Sequence, residues 1–162
     1  FVDTPLPDDN MHLNVNLNEA AAIATIAEHI YRREKTDFQP QHTLGIIVPY
    51  RNQIAAIRSA IGDKGIAPLR DISIDTVERY QGSQRKYIVY GFTVRRPHQL
   101  QFLESSIFVD HDGPIVDRRL NVAMTRAEQH LVVVGNATLL KANPTFRRLI
   151  EFIKSRDAMV TV

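Results

Sequence analysis

The amino-acid sequence predicts an α/β fold of three layers, a mainly parallel sheet with helices on both faces. Three observations carry that prediction: short continuous apolar runs, amphipathic segments at helical spacing between them, and the alternation of the two along 162 residues. After a stretch rich in Asp, Pro and Asn, Asn16 or Asn18 can cap a helix in which Ile23, Ile26, Ala27 and Ile30 recur on one face. Leu44 to Val48 reads as a buried strand closed by Pro49, and Ile54, Ile57 and Ile61 then mark a helix that ends before Gly62. Ile72 to Asp75 is a second short strand, and Tyr87 to Val94, rich in β-branched and aromatic residues, suits a central one. A helix is predicted over 118–127, a strand from Leu131 to Val134 stopped by Gly135 and Asn136, and a last helix carrying Phe146, Leu149, Ile150 and Ile153 on one side. Residues 95–117, of mixed composition with Pro97 and Pro114, read as an insertion or a mobile surface loop.

The length and a hydrophobic share of 44% suffice for one packed domain over 1–162. A formal charge of +2 permits a phosphate-bearing partner without being an electrostatic tail. The absence of cysteine excludes disulfides, thiolate metal sites and a cysteine nucleophile from these residues. No apolar run approaches the roughly 20 residues of a membrane span, so a soluble, cytoplasmic protein with no membrane partner is expected. The start at Phe1-Val2-Asp3-Thr4-Pro5, without an initiator Met, suggests a piece of a longer polypeptide.

Three blocks carry chemistry. In RRLNVAMTRA, from Arg118 to Ala127, a helical projection puts Leu120, Ala123, Met124 and Ala127 on one side and Arg118, Arg119, Thr125 and Arg126 on the other. Arg119 and Arg126 are neighbours there, and paired guanidinium groups suit phosphate oxygens; the plain alternative is a solvated arginine face. DTVERYQGSQRKYIV, from Asp75 to Val89, places Gly82 where a backbone can approach a ligand, with Thr76, Gln81 and Gln84 as hydrogen-bonding neighbours; a plain polar glycine turn is the alternative. LGIIVPYRNQ, from Leu44 to Gln53, sets Tyr50 and Arg51 after the carboxyl end of a strand, where open α/β sheets bind ligands. Tyr50 and Tyr80 can each stack on an unpaired base or pack half-buried, and Arg51 can meet a triphosphate or simply open a helix in solvent. Asp110, His111 and Asp112 are adjacent on a loop and do not converge as metal ligands, so no metal site is expected of them; His130 is read as structural.

RRLNVAMTRA followed by HLVVVGN resembles motif VI of superfamily 1 helicases, in the branch related to the nonsense-mediated decay helicase. The other two blocks resemble motifs V and IV of the same family, and FVDTP with Asn16 to Ala20 resembles its passage from the first motor domain into the second. Two positions depart from the family pattern, Gln84 where a Glu is frequent and Val48 where a Thr is frequent. The resemblance implies a RecA-like second motor domain. In it Arg126 serves as an arginine finger toward ATP, Gly82 and Gln84 as nucleotide-binding residues, and Thr76 and Gln81 as contacts to nucleic acid; the residues' own positions add Arg51 as a second catalytic candidate, Arg119 as nucleotide-binding and Tyr50 as a contact to nucleic acid.

None of the seven glycines opens a Gly-x-x-x-x-Gly-Lys loop, and no Asp-Glu pair ends an apolar strand. The expected arrangement follows from the resemblance: ATP and Mg held mainly on an N-terminal RecA-like domain of the same polypeptide, single-stranded nucleic acid as substrate, DNA ahead of RNA, and no ATP hydrolysis by these 162 residues alone. The rival expectation is a non-enzymatic nucleic-acid-binding or scaffold domain derived from a helicase.

Overall fold

In the computed structural model, which describes residues 1–6, 14–80, 84–104, 107–108 and 116–162, six strands form one parallel sheet. They are β1 (Val2–Asp3), β2 (Leu44–Val48), β3 (Ser73–Thr76), β4 (Arg85–Gly91), β7 (Ala127–Gly135) and β8 (Val160–Thr161). Their order across the sheet is β3-β2-β4-β7-β1-β8, with β5 (Ile107–Phe108) and β6 (Val116–Asp117) paired antiparallel outside it. The chain first winds toward β3 with α1 (Leu17–Glu34), α2 (Pro40–Thr43) and α3 (Arg51–Asp63). It then returns toward β8 with α4 (Gln99–Glu104), α5 (Arg118–Arg126), α6 (Ala137–Leu140) and α7 (Pro144–Lys154). Reversal of winding direction moves the helices to the opposite face, which gives the predicted three layers.

Strand alternation divides the core into two. Leu44, Ile46 and Val48 of β2 with Val89 of β4 pack under Ile23, Ala27, Ile57 and Ile61 of α1 and α3. Ile47, Ile88, Tyr90 and Val133 point the other way, against Leu120 and Ala123 of α5 and Phe146 and Ile150 of α7. Every residue of β2 is buried, as its unbroken apolar run requires of a strand covered on both faces.

Several boundaries differ from expectation for identifiable reasons. Asn16, not Asn18, caps α1: its side chain accepts the Glu19 N–H. The central strand starts earlier and stops at Gly91, because Thr93 adopts a positive φ of 56°. The Leu131–Val134 strand extends back to Ala127 through the exposed Glu128, Gln129 and His130, a polar run with no periodicity to reveal it. The segment expected as a surface loop over 95–117 contains α4, whose Leu100 and Leu103 are buried, and the short β5–β6 pair. A proline-flanked stretch of mixed polarity hides a helix of six residues because so short an element shows little more than one period.

Gly45 is a point of close approach. A Cβ there would lie 1.8 Å from the Tyr80 hydroxyl, whereas a Cβ at Gly62, near the end of α3, would meet nothing within 4 Å. Gly45→Ala is expected to lower the unfolding free energy of the chain by about 1–3 kcal/mol, and Gly62→Ala to leave it unchanged or raise it by up to about 1 kcal/mol. Urea denaturation of the two variants beside the wild type checks both, and equal midpoints for the two would contradict the packing described.

Candidate nucleotide and strand site

Because all six strands run parallel, the loops divide into those at the carboxyl ends of the strands and those at the amino ends. The carboxyl end is organised by a buried polar cluster. The Gln53 amide makes a two-way bridge to the backbone of Asn16, accepting its N–H at 2.8 Å and donating to its C=O at 2.9 Å. Asn16 Nδ2 donates to one oxygen of the Glu19 carboxyl at 3.1 Å, and the other oxygen accepts the Thr93 N–H at 2.7 Å. Three connections are tied here: the entry to α1, the first turn of α3 and the exit from β4. A β-branched residue at positive φ is strained, and the carboxyl that accepts the Thr93 N–H helps to hold it.

Tyr50 and Arg51 sit on this cluster, one turn from Gln53. Arg51 opens α3 exposed to solvent, where the free N–H groups of the helix end and the guanidinium both favour an anion. Tyr50 is half-buried, and its ring stacks on Phe102 of α4 with centroids 5.2 Å apart and planes 23° from parallel. Burial raises the phenol of Tyr50 above its ordinary range, so it is a hydrogen-bond donor at neutral pH. The Arg119 guanidinium lies 4.2 Å from the Phe102 centroid, donates to the Phe102 C=O at 3.1 Å and meets the Glu78 carboxylate at 3.5 Å. Phe102 was not among the residues singled out from sequence; nothing in its spacing marks it, and only the fold brings it to Tyr50.

At the amino end stands Arg126. It closes α5 and directly precedes Ala127, which pairs with Arg85 in the register of β7 on β4. Gln84 Nε2 donates to the Thr125 C=O at 3.4 Å, so the residues before β4 and the end of α5 form one edge. Arg126 is half-buried; its Nε is shielded from solvent and has no hydrogen-bond partner among the described residues. Its Nη2 comes only to 3.5 Å from the Thr125 hydroxyl.

The helical projection of α5 holds for Leu120, Ala123 and Ala127, which pack against the core, and needs correction at Met124 and the two arginines. Met124, expected on the packed side, is 50% exposed, and Arg119 and Arg126, expected on a polar face, border the packed stripe beside Ala123. Leu120 and Ala123 meet β4 and β7 as expected, while the two long cationic stems lie along the flank of the packed stripe and Met124 lies beyond its edge. A face of solvated arginines would show the opposite exposure.

The structure brings Arg126 and Gln84 together, and separately Tyr50 and Arg119. It leaves Arg51 and Arg126 at opposite ends of the strands, and the length of β2 alone is about 13 Å at 3.3 Å per residue. Thr76 ends β3 with its side chain buried, and its N–H donates to Asp75 Oδ1. Tyr80 is buried beneath the sheet edge, and His130 stacks on Tyr87 at 4.9 Å. Gln81, Gly82 and Asp110 to Asp112 lie outside the described residues. Among the described residues no group of three or more His, Asp or Glu could hold a metal, and no helix is long and apolar enough to cross a membrane.

Comparison with known proteins decides the family. A family model described as "AAA domain" matches residues 4–138, most of the chain. This chain belongs to that family, as a C-terminal domain of a superfamily 1 helicase. The helicase domain is 34% identical over 121 residues to "Putative helicase MOV-10" of Gallus gallus, a match covering 71% of this chain and 12% of the relative. It is 33% identical over 135 residues to "DNA polymerase alpha-associated DNA helicase A" of Saccharomyces cerevisiae, covering 83% and 18%. It is 32% identical over 121 residues to "Regulator of nonsense transcripts 1" of Dictyostelium discoideum, covering 72% and 8%. The chain thus spans between 8% and 18% of the length of these relatives. A solved structure, the C-terminal domain of a possible DNA helicase from Lactobacillus plantarum, is similar at a TM-score of 0.47 and 13% identity, over 88% of this chain and 84% of that one.

The Glu19 carboxyl is wholly buried, and burial pushes its pKa up from 4.5 to about 8, against the lowering pull of its hydrogen bonds. An acid whose pKa is higher folded than unfolded keeps its proton in the fold after the unfolded chain has released it. Stability contributed by this group is therefore full below about pH 4.5 and declines, on the order of 1 kcal/mol per pH unit, until about pH 8. Glu19→Gln is expected to flatten that decline; parallel pH curves for wild type and variant in urea unfolding would contradict it.

Proposed function

We propose that this domain is the second motor half of an ATP-dependent helicase, and that Arg126 is the arginine finger it presents to ATP bound on the preceding motor domain. The observation that carries the reading is the state of the Arg126 side chain: half-buried on the flank of α5, with Nε shielded and without a hydrogen-bond partner among the described residues. Leaving a buried donor unsatisfied costs about 1–3 kcal/mol; Arg85, whose Nε is equally shielded, pairs through its Nη groups with the Gln84 C=O and the Ser73 hydroxyl, whereas the Arg126 guanidinium comes only to 3.5 Å from the Thr125 hydroxyl. A planar fork with unspent donors fits the oxygens of a triphosphate. Gln84, whose Nε2 donates to the Thr125 C=O one residue before Arg126, is the second residue of this chain that the reading gives to the nucleotide.

In this reading ATP with its Mg supplies the transferable phosphoryl group when bound between the two motor domains. The residues of this chain act on it by position. Arg126 donates to the γ-phosphate oxygens, where negative charge is spread as the bond to the leaving diphosphate loosens. Domain closure brings the guanidinium into reach and opening withdraws it, which links turnover to movement along a strand. The described residues offer no phosphate loop of their own, so these 162 residues alone are expected not to hydrolyse ATP.

Single-stranded nucleic acid is assigned to the carboxyl edge, where Tyr50 offers an aromatic ring and Arg51 an exposed guanidinium. The names of the relatives divide between a DNA helicase and a regulator of nonsense transcripts. DNA is the preferred strand of this proposal, and competition between DNA and RNA oligonucleotides at one salt concentration tests it.

Arg126→Ala in the parent polypeptide is expected to lower strand-stimulated ATP turnover by about 10³-fold or more while single-strand affinity at fixed salt stays within about threefold. Arg126→Lys should recover only a small part, since one ammonium cannot reproduce the fork. Unchanged turnover in Arg126→Ala, with strand binding weakened, would instead identify a nucleic-acid-binding module; no change in either would identify a scaffold.

A further inference from the structure

The two ends of the sheet are joined by one rigid element. Helix α5 spans the distance between them, with Arg119 in its first turn and Arg126 in its last, seven residues apart and about 10 Å along the axis. Seven residues are nearly two full turns, so both guanidinium stems leave the helix on the same flank. At the upper end Arg119 is held by the ring and the backbone carbonyl of Phe102, and Phe102 in turn stacks on Tyr50. At the lower end α5 runs without a linker into β7. Phe102 is therefore the piece between the proposed strand-contacting Tyr50 and the helix that ends in Arg126. It is 42% exposed, with the Tyr50 ring and the Arg119 guanidinium among its neighbours.

We propose that Phe102 is a positioning residue that couples strand contact at Tyr50 to the placement of Arg126, acting through Arg119 and the axis of α5. The proposal rests on the finger reading of Arg126 given above. A base or phosphate arriving at Tyr50 changes the position of its ring. A stacked partner follows that ring, and the guanidinium held on the Phe102 face and carbonyl follows Phe102. Because Leu120 and Ala123 hold α5 against β4 and β7, the helix answers such a pull by shifting along its axis or turning about it, either of which displaces Arg126. Phe102 itself touches neither ligand in this account.

The test uses the full parent polypeptide, with ATP turnover measured without strand and with saturating oligonucleotide, and strand affinity measured at one salt concentration. Phe102→Ala is expected to keep strand-free turnover and strand affinity within about twofold and to lose at least about 10-fold of the stimulation by strand. Phe102→Tyr, which keeps the ring, should retain stimulation, and Phe102→Leu, apolar without a ring, should behave as Phe102→Ala does, so a fold defect peculiar to one variant does not decide the matter. Stimulation intact in Phe102→Ala and Phe102→Leu overturns the coupling, as does a parallel loss of strand-free turnover or a deficit removed simply by adding more strand. Arg126→Ala measured alongside separates the two claims: turnover lost there with Phe102 variants fully stimulated overturns the coupling alone, whereas turnover intact in Arg126→Ala overturns the finger reading and the coupling with it.

Discussion

No linker separates α5 from β7. Arg126 is the last residue of the helix and Ala127 the first of the strand, already in register with Arg85 of β4. The arginine at this junction is thereby tied to the parallel sheet: its backbone cannot shift unless the helix moves over the buried Leu120 and Ala123, or the start of β7 leaves β4. In the proposed reading such a mounting holds the Arg126 donors in place and passes any shift or turn of α5 to them as a unit. The same junction explains why β7 begins with exposed polar residues. The strand extends below its apolar part in order to receive the helix, and its buried part starts only where both faces are covered.

A second constraint acts at the other end of the strands. Asn16, Glu19, Gln53 and the Thr93 backbone form one buried hydrogen-bonded group, and through it three separate connections share their positions. Buried polar networks of this kind are costly when one member is lost, so they specify geometry more strongly than apolar contact does. Tyr50 and Arg51 inherit their position from it through the first turn of α3, and the stack of Tyr50 on Phe102 adds α4 to the same edge. The domain thus has a rigid junction at one end, a tied group of loops at the other, and a single short helix running between.

Much of this was legible in the amino-acid sequence, and the limits have physical causes. The apolar run Leu44 to Val48 and the spacing of Ile54, Ile57 and Ile61 identified β2 and α3 closely, because burial on both faces and one-sided burial leave distinct patterns. Asn16 as a cap was one of two candidates, and only the side-chain bond to Glu19 distinguishes them. The packed side of α5 was legible at Leu120, Ala123 and Ala127, but the exposure of Met124 and the half-buried arginines were not. A projection counts which residues are apolar, and Met124 counts as apolar wherever it points, while an arginine with a buried stem counts as polar. The tertiary fit of Leu120 and Ala123 against the sheet decided the matter. Helix α4 and Phe102 were hidden for a related reason: an isolated turn of helix has no period to detect, and its importance comes from a contact with a residue 52 positions away.

The central claim is that Arg126 reaches the nucleotide across a domain cleft, and a structure of the parent polypeptide with single-stranded nucleic acid and a non-hydrolysable ATP analogue tests it most directly. The account predicts a guanidinium nitrogen of Arg126 within about 3 Å of a γ-phosphate oxygen, with α5 still continuous into β7. A closed complex in which Arg126 remains beside the Thr125 hydroxyl, with another side chain on the γ-phosphate, would contradict it.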